Sequence, residues 1–238
     1  MIAFVVAVAD RARFEVIAQP ALARVREADS VILAIPGGRA PQLALNAALD
    51  ELAGEPDLEA VVVLHEDVVL LDVDTAAIVR RTFGDPEIAL AGPIGAHGVR
   101  SLAWWHAGVF GVGRVQTPHV PDEVMRCEIR AGAVDALDGI VLCLGPWAVR
   151  TLRFAEDLAA DFHGYDIELC FQARYHGRRV EVVELEVRHE HRPLFADSDR
   201  WVRNELRFRQ RWIERRMITE RRHRALSAVV AQAPEPAG

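Results

Sequence analysis

The chain has 238 residues, 51% of them hydrophobic and 26% charged, enough to bury one sizeable core but short for two independent domains. Its 16 glycines and 12 prolines follow no period, which excludes collagen-like, solenoid and broadly disordered chains. The net charge of −7 is split, because residues 197–224 hold ten arginines against five acids and leave −12 on the remainder. An acidic body excludes a general nucleic-acid binder, whose affinity rests on neutralising phosphates.

Residues 2–9 form an apolar run that ends at Asp10 and Arg11, too short to span a membrane and wrongly flanked for a signal peptide. The run reads as a strand, as does residues 30–35, and helices fill the interval. After Pro41, the residues Leu43, Ala44, Ala47, Ala48 and Leu52 recur at helical spacing, so residues 41–52 read as a crossover helix. A third strand at 60–64 runs straight into His65-Glu66-Asp67, followed by a helix at 75–83 and a strand at 88–91. This alternating order predicts an α/β fold with a mostly parallel central sheet covered by helices.

Glycines and the Trp104-Trp105-His106 cluster break the pattern over residues 92–121, which read as a loop or hairpin insertion. Aromatic faces there suit either a sugar platform or core filling under a loop. Regular structure resumes at 134–144, with a loop at 154–164, a helix at 165–176 and a strand at 179–187. Residues 198–230 are helical in period, with Trp201, Leu206, Phe208, Trp212, Ile213 and Met217 in a rough apolar stripe. Residues 233–238 are expected to fray.

Three segments carry candidate chemistry. In open α/β sheets, ligands bind beyond the carboxyl ends of the strands, where His65-Glu66-Asp67 falls. Asp67 there suits a hard divalent cation, or simply a capped turn. Asp166, in the first turn of the 165–176 helix, suits either dipole stabilisation or a general base acting on an acceptor hydroxyl. Arg188-His189-Glu190-His191 offers a single metal ligand more readily than a zinc site, for which the spacing supplies too few partners. Cys127, Cys143 and Cys170 are isolated, so neither a disulfide framework nor a CxxC site is available, and a reducing, cytoplasmic compartment is expected. The sequence holds no P-loop, no GxGxxG after the first strand, no GxSxG and no HExxH.

A strand ending in HED, then LAGPIGA, VDALDGIVLCL and FHGYDIELCFQARYHGRRVEVVELEVRHEH, occur in one order over residues 1 to 195. Together they resemble the glycosyltransferase-like family typified by the streptomycin-biosynthesis domain, within the inverting family 2 glycosyltransferases of GT-A fold. The resemblance implies a GT-A domain over 1–195, with 196–238 a basic C-terminal helix and frayed tail packed on it. It implies a nucleotide-diphosphate sugar donor, with Ala9 and Asp10 near the base and Asn46, His65, Asp138 and Gly139 on the donor or sugar. Asp67 takes the metal-binding place of the Asp-x-Asp motif, His65 standing where the first aspartate is usual. The resemblance implies Mn²⁺ or Mg²⁺ as that metal. His189 is similar to a late histidine that joins the metal in some members, with His191 its rival. Asp166 matches the aspartate of the Glu-Asp motif that acts as base, although Tyr165 replaces the glutamate.

These expectations amount to a metal-dependent inverting glycosyltransferase acting on a hydroxyl acceptor. The alternative is a catalytically decayed nucleotide-sugar binder or scaffold of the same fold. For the basic tail a solvated arginine face competes with a dimer contact or a peripheral contact with an anionic membrane surface.

Overall fold

In the first strand, alternate side chains leave in opposite directions, and both directions are apolar. Ile2, Phe4 and Val6 enter one buried cluster while Ala3 and Val5 enter another. A strand buried on both faces belongs inside a sheet with helices above and below. The computed structural model, which describes residues 1–37, 41–103, 109–118, 130–158, 164–190 and 198–214, has that architecture.

In chain order, Ile2–Val8 (β1) is followed by helices Arg11–Val16 (α1) and Ala18–Val25 (α2), then Val31–Pro36 (β2) and Gln42–Leu52 (α3). Ala60–His65 (β3) leads into the short Val68–Leu70 (β4), Thr75–Thr82 (α4) and Ile88–Gly92 (β5). Ile94–His97 (β6), Phe110–Gly113 (β7), Gly132–Ala133 (β8) and Ala136–Leu137 (β9) come next. Val141–Leu144 (β10), Pro146–Thr151 (α5), Tyr165–Tyr175 (α6), Arg179–Val182 (β11), Val187–His189 (β12) and Ser198–Phe208 (α7) complete the strands and α-helices of the described residues.

The central sheet has seven strands in the order β2-β1-β3-β10-β5-β11-β8. Strands β2, β1, β3, β5 and β11 run one way, while β10 and β8 run against them. Helices α1, α2 and α4 place Phe14, Leu22, Val25 and Val79 on one face. Helices α3, α5, α6 and α7 place Leu45, Leu49, Val149, Phe171 and Phe208 on the other. The insertion read at 92–121 contains an antiparallel β6–β7 hairpin, to which β9 adds a third strand. Residues 104–108, with the tryptophan pair and His106, lie outside the described residues.

One expectation is corrected. The strand read over 179–187 ends at Val182, and its last residue opens a second strand in a different sheet, because β11 pairs with β5 whereas β12 turns away to pair with β4. That split carries His189 back beside the end of β3. Among the described residues, the expected C-terminal helix is α-helical over Ser198–Phe208 and continues as π-type turns over Arg209–Glu214. Its continuation to 230 lies outside the described residues. No helix among the described residues is long and apolar enough to cross a membrane.

The described part of this helix is tied to the body by buried contacts. Phe208 stacks edge-on against Phe171 with ring centres 4.9 Å apart, and Asn204 Nδ2 donates to Leu158 O. Glu168 of α6 is 1% exposed and accepts from Gln172 Nε2, Arg211 Nη1 and Trp212 Nε1 at 2.6, 2.6 and 3.2 Å. A carboxylate removed from water requires such partners.

Candidate functional site

The parallel strands β1 and β3 end side by side, with Ala7 paired to His65. The chain after β1 turns at Ala9 and Asp10 into α1, whose first turn Asp10 caps by accepting from Arg13 N at 3.1 Å. Glu66 fastens this turn to the end of β3: its Oε2 accepts from Ala9 N at 2.5 Å and from Asp10 N at 2.8 Å. The β3 end and the β1 end are thereby held as one rim.

On that rim His65, Asp67 and His189 converge, each offering a ligand atom within 4.8 Å of the others. The two imidazole rings lie edge to face with centres 5.6 Å apart. Asp67 is buried; its Oδ1 lies 3.2 Å from His189 Nε2 and its Oδ2 3.0 Å from Arg13 Nη2. Burial works to raise the Asp67 carboxyl, but the His189 hydrogen bond and the charges of His189, His65 and Arg13 outweigh it and hold it at about 2. Arg13 is fixed by a second bond to Glu190 O at 2.5 Å.

A second carboxyl lies across the turn before β10. Asp166 Oδ2 accepts from Gly139 N at 2.8 Å and its Oδ1 from Ile167 N at 2.9 Å. Burial, reinforced by the like charge of Asp138, pushes Asp166 up to about 7. Asp138 itself accepts from Ile140 N at 3.0 Å, which turns the chain into β10. Gly139 has no room for a side chain, since a Cβ there would stand 2.6 Å from Tyr165 Oη. Helix α6 starts after Gly164, whose φ of +93° is costly for any residue with a Cβ.

Tyr165 connects the two clusters. Its hydroxyl lies 3.0 Å from His65 Nε2 and 3.1 Å from Gly139 O. The rim therefore brings together Ala9, Asp10, His65, Asp67, Asp138, Gly139, Asp166 and His189. His191 lies outside the described residues.

Asn46 does not join them. Its amide is buried and clamps Phe154, donating to Phe154 O at 2.9 Å and accepting from Phe154 N at 2.8 Å, with a further bond to Glu156 Oε1 at 3.0 Å. Asn46→Ala orphans both Phe154 backbone groups, a cost of about 1–3 kcal/mol, and is expected to lower the melting temperature by about 2–12 °C. Donor KM should be unchanged; a raised KM in a fully folded variant would put Asn46 back at the donor.

Sequence reasoning passed over Glu66 and Arg13, and named Tyr165 only as a replacement for a glutamate. Glu66 lies between two candidate ligands, and Arg13 lies three residues past the turn after β1, so both were open to inspection. Their partners, however, are 54 to 177 positions away in the chain.

The profile of a family described as "Glycosyltransferase like family" matches residues 3–216. The chain belongs to this glycosyltransferase-like family. The streptomycin biosynthesis protein StrF of Streptomyces griseus is 30% identical over 216 residues, covering 90% of this chain and 75% of that protein. Membership in this glycosyltransferase family makes the protein a transferase. The crystal structure of GalNAc-T7 with UDP, GalNAc and Mn²⁺ superposes with a TM-score of 0.60 at 12% identity, over 90% of this chain. This chain spans about half of that one (48%), and the likeness is one of fold, the GT-A arrangement.

Proposed function

We propose that the protein is a metal-dependent, inverting glycosyltransferase that moves a sugar from a nucleotide-diphosphate donor to a hydroxyl acceptor. The observation that carries this reading is the pairing on one rim of a His-Asp-His cluster with a carboxyl pushed up to about 7. Inverting displacement needs a base on the acceptor side and charge neutralisation on the leaving-group side.

His65, Asp67 and His189 would hold a divalent cation: two imidazoles and one carboxylate converge, each able to offer one ligand atom. Such a cation supplies charge neutralisation for the departing diphosphate. Two nitrogen ligands are softer than Mg²⁺ favours, so Mn²⁺ is the better match. GalNAc-T7, whose structure was solved with UDP, GalNAc and Mn²⁺, supports the same assignment of donor and ion classes.

Asp166 accepts the proton of the acceptor hydroxyl as that oxygen forms its bond to the anomeric carbon. The anomeric C–O bond breaks at the same centre, and its electron pair leaves with the diphosphate. Gly139 N–H steadies one oxygen of Asp166. Arg13, beside Asp67, adds positive charge on the leaving-group side. Ala9 and Asp10 border the nucleotide, in the turn that Glu66 holds.

Calorimetric titration with UDP, GDP, dTDP and CDP, each with Mn²⁺, with Mg²⁺ and with neither, tests the reading. Binding of one nucleoside diphosphate that strengthens with Mn²⁺ more than with Mg²⁺ is expected. Absence of any nucleotide binding would sink it.

A further inference from the structure

We propose that Tyr165 is a positioning residue that sets the tautomer of His65, so that His65 meets the metal through Nδ1, and couples that ligand to the turn that holds Asp166. The proposal rests on the reading of His65, Asp67 and His189 as a metal centre.

The argument turns on one proton. Tyr165 Oη lies 3.1 Å from Gly139 O and 3.0 Å from His65 Nε2. A carbonyl oxygen only accepts, so the phenol donates its single proton to Gly139. The second contact then requires the proton on the imidazole, with Nε2–H of His65 donating to the phenol oxygen. In the neutral ring that assignment leaves the lone pair on Nδ1. The partner of one ring nitrogen thus decides which nitrogen ligates, as outer partners of metal-bound histidines generally do.

The phenol is well placed to impose this state. Tyr165 is 3% exposed, its ring lies edge to face with Phe154 at 5.6 Å, and Gly139 presses against its hydroxyl with no space for a Cβ. The ring cannot swing away without opening the core. The same glycine is held from both sides by consecutive residues of α6, its carbonyl by Tyr165 and its N–H by Asp166. The path from ligand to base is therefore four groups long: His65 imidazole, Tyr165 hydroxyl, Gly139 backbone, Asp166 carboxylate. A glutamate in place of Tyr165 would only accept when ionised and could not donate to Gly139 O.

Two measurements test this. In the native protein, labelled with ¹⁵N and free of metal, the shifts of the His65 ring nitrogens report the tautomer directly. An Nε2–H pattern is expected, and an Nδ1–H pattern overturns the proposal. In a Mn²⁺ titration followed by electron paramagnetic resonance, Tyr165→Phe is expected to bind about 10–100-fold more weakly than the native protein, with its near-ultraviolet dichroism retained. Equal or tighter binding overturns the proposal, because it means the phenol donates to His65 and competes with the metal. Asp67→Asn in the same titration separates the two levels. If the native protein binds no Mn²⁺, or binds it equally well after Asp67→Asn, the metal-centre reading fails and this proposal falls with it. If Asp67→Asn abolishes binding while Tyr165→Phe leaves it intact, the tautomer proposal alone fails.

Discussion

Asp166→Asn is expected to lower the rate of sugar transfer by about 10²–10⁴-fold, the usual contribution of a positioned base, while Mn²⁺-dependent nucleotide binding is retained. The amide keeps only one oxygen for the two N–H groups that Asp166 accepts, so a modest loss of stability accompanies the loss of turnover. The pH dependence is the sharper test. Burial and the charge of Asp138 place Asp166 at about 7, so below that pH the base carries its proton and the rate should fall. The rate should rise as pH passes through about 7 and then level off. Asp138→Asn removes the neighbouring charge, while its side-chain oxygen still accepts from Ile140 N, and the limb should move to lower pH. A limb that stays in place in Asp138→Asn would mean that some other group governs it. The same raised carboxyl has a cost in folding. Between the ordinary carboxylate range and about 7 the native protein binds a proton that the unfolded chain has released, so stability declines across that window as pH rises.

Asp67→Asn should weaken Mn²⁺ binding by at least ~10²-fold, more than the loss of an outer hydrogen-bond partner produces, and reduce transfer to background. Chelation of the native protein should have the same effect on transfer and be reversed by Mn²⁺. The two treatments differ in what they do to the fold. Chelation leaves the Asp67 carboxylate against His189 and Arg13, whereas the substitution leaves Arg13 facing a neutral amide. Asp67 is held at about 2, below the ordinary carboxylate value, so its contribution to stability is present above that ordinary value and lost as pH falls through about 2. Asp67→Asn should therefore melt lower than the chelated native protein at neutral pH. Equal Mn²⁺ affinity in variant and native protein would remove Asp67 from the metal site.

The central sheet was legible because buried parallel strands are short apolar runs and their crossovers carry helical spacing. Residues 2–9 and 60–64 need no tertiary information to be read, and both fall within one residue of β1 and β3. Residues 179–187 alternate apolar and charged side chains, and the only local sign that the chain leaves the sheet is the change of phase at Val182-Val183. Where it goes depends on β4, whose three residues pair with β12 only once both are in place. The antiparallel entry of β10 between β3 and β5 is hidden for the same reason. In the site, Asp67 and Asp166 were visible as acids at a strand end and a helix start, whereas Asp138-Gly139 came only with the family resemblance. His65 was visible too, but as a donor contact; its place in a three-residue cluster depends on where β12 delivers His189. Asn46 came to the donor only through the resemblance, and here its amide is held by the chain's own Phe154 backbone.

The bond between Glu168 and Arg211 gives the protein an order of completion. A ribosome delivers α6 well before it delivers residues 209–214, so during synthesis the helix that begins with Tyr165 and Asp166 exists for a time with Glu168 lacking its cation. The donor edge where β1 and β3 end comes from strands made early, but the His-Asp-His cluster also needs His189 of β12, which is made after α6. A nascent chain thus completes neither the cluster nor the buried pairing of Glu168 until β12 and then residues 209–214 have been added, so the two halves of the rim are finished late and close together in synthesis.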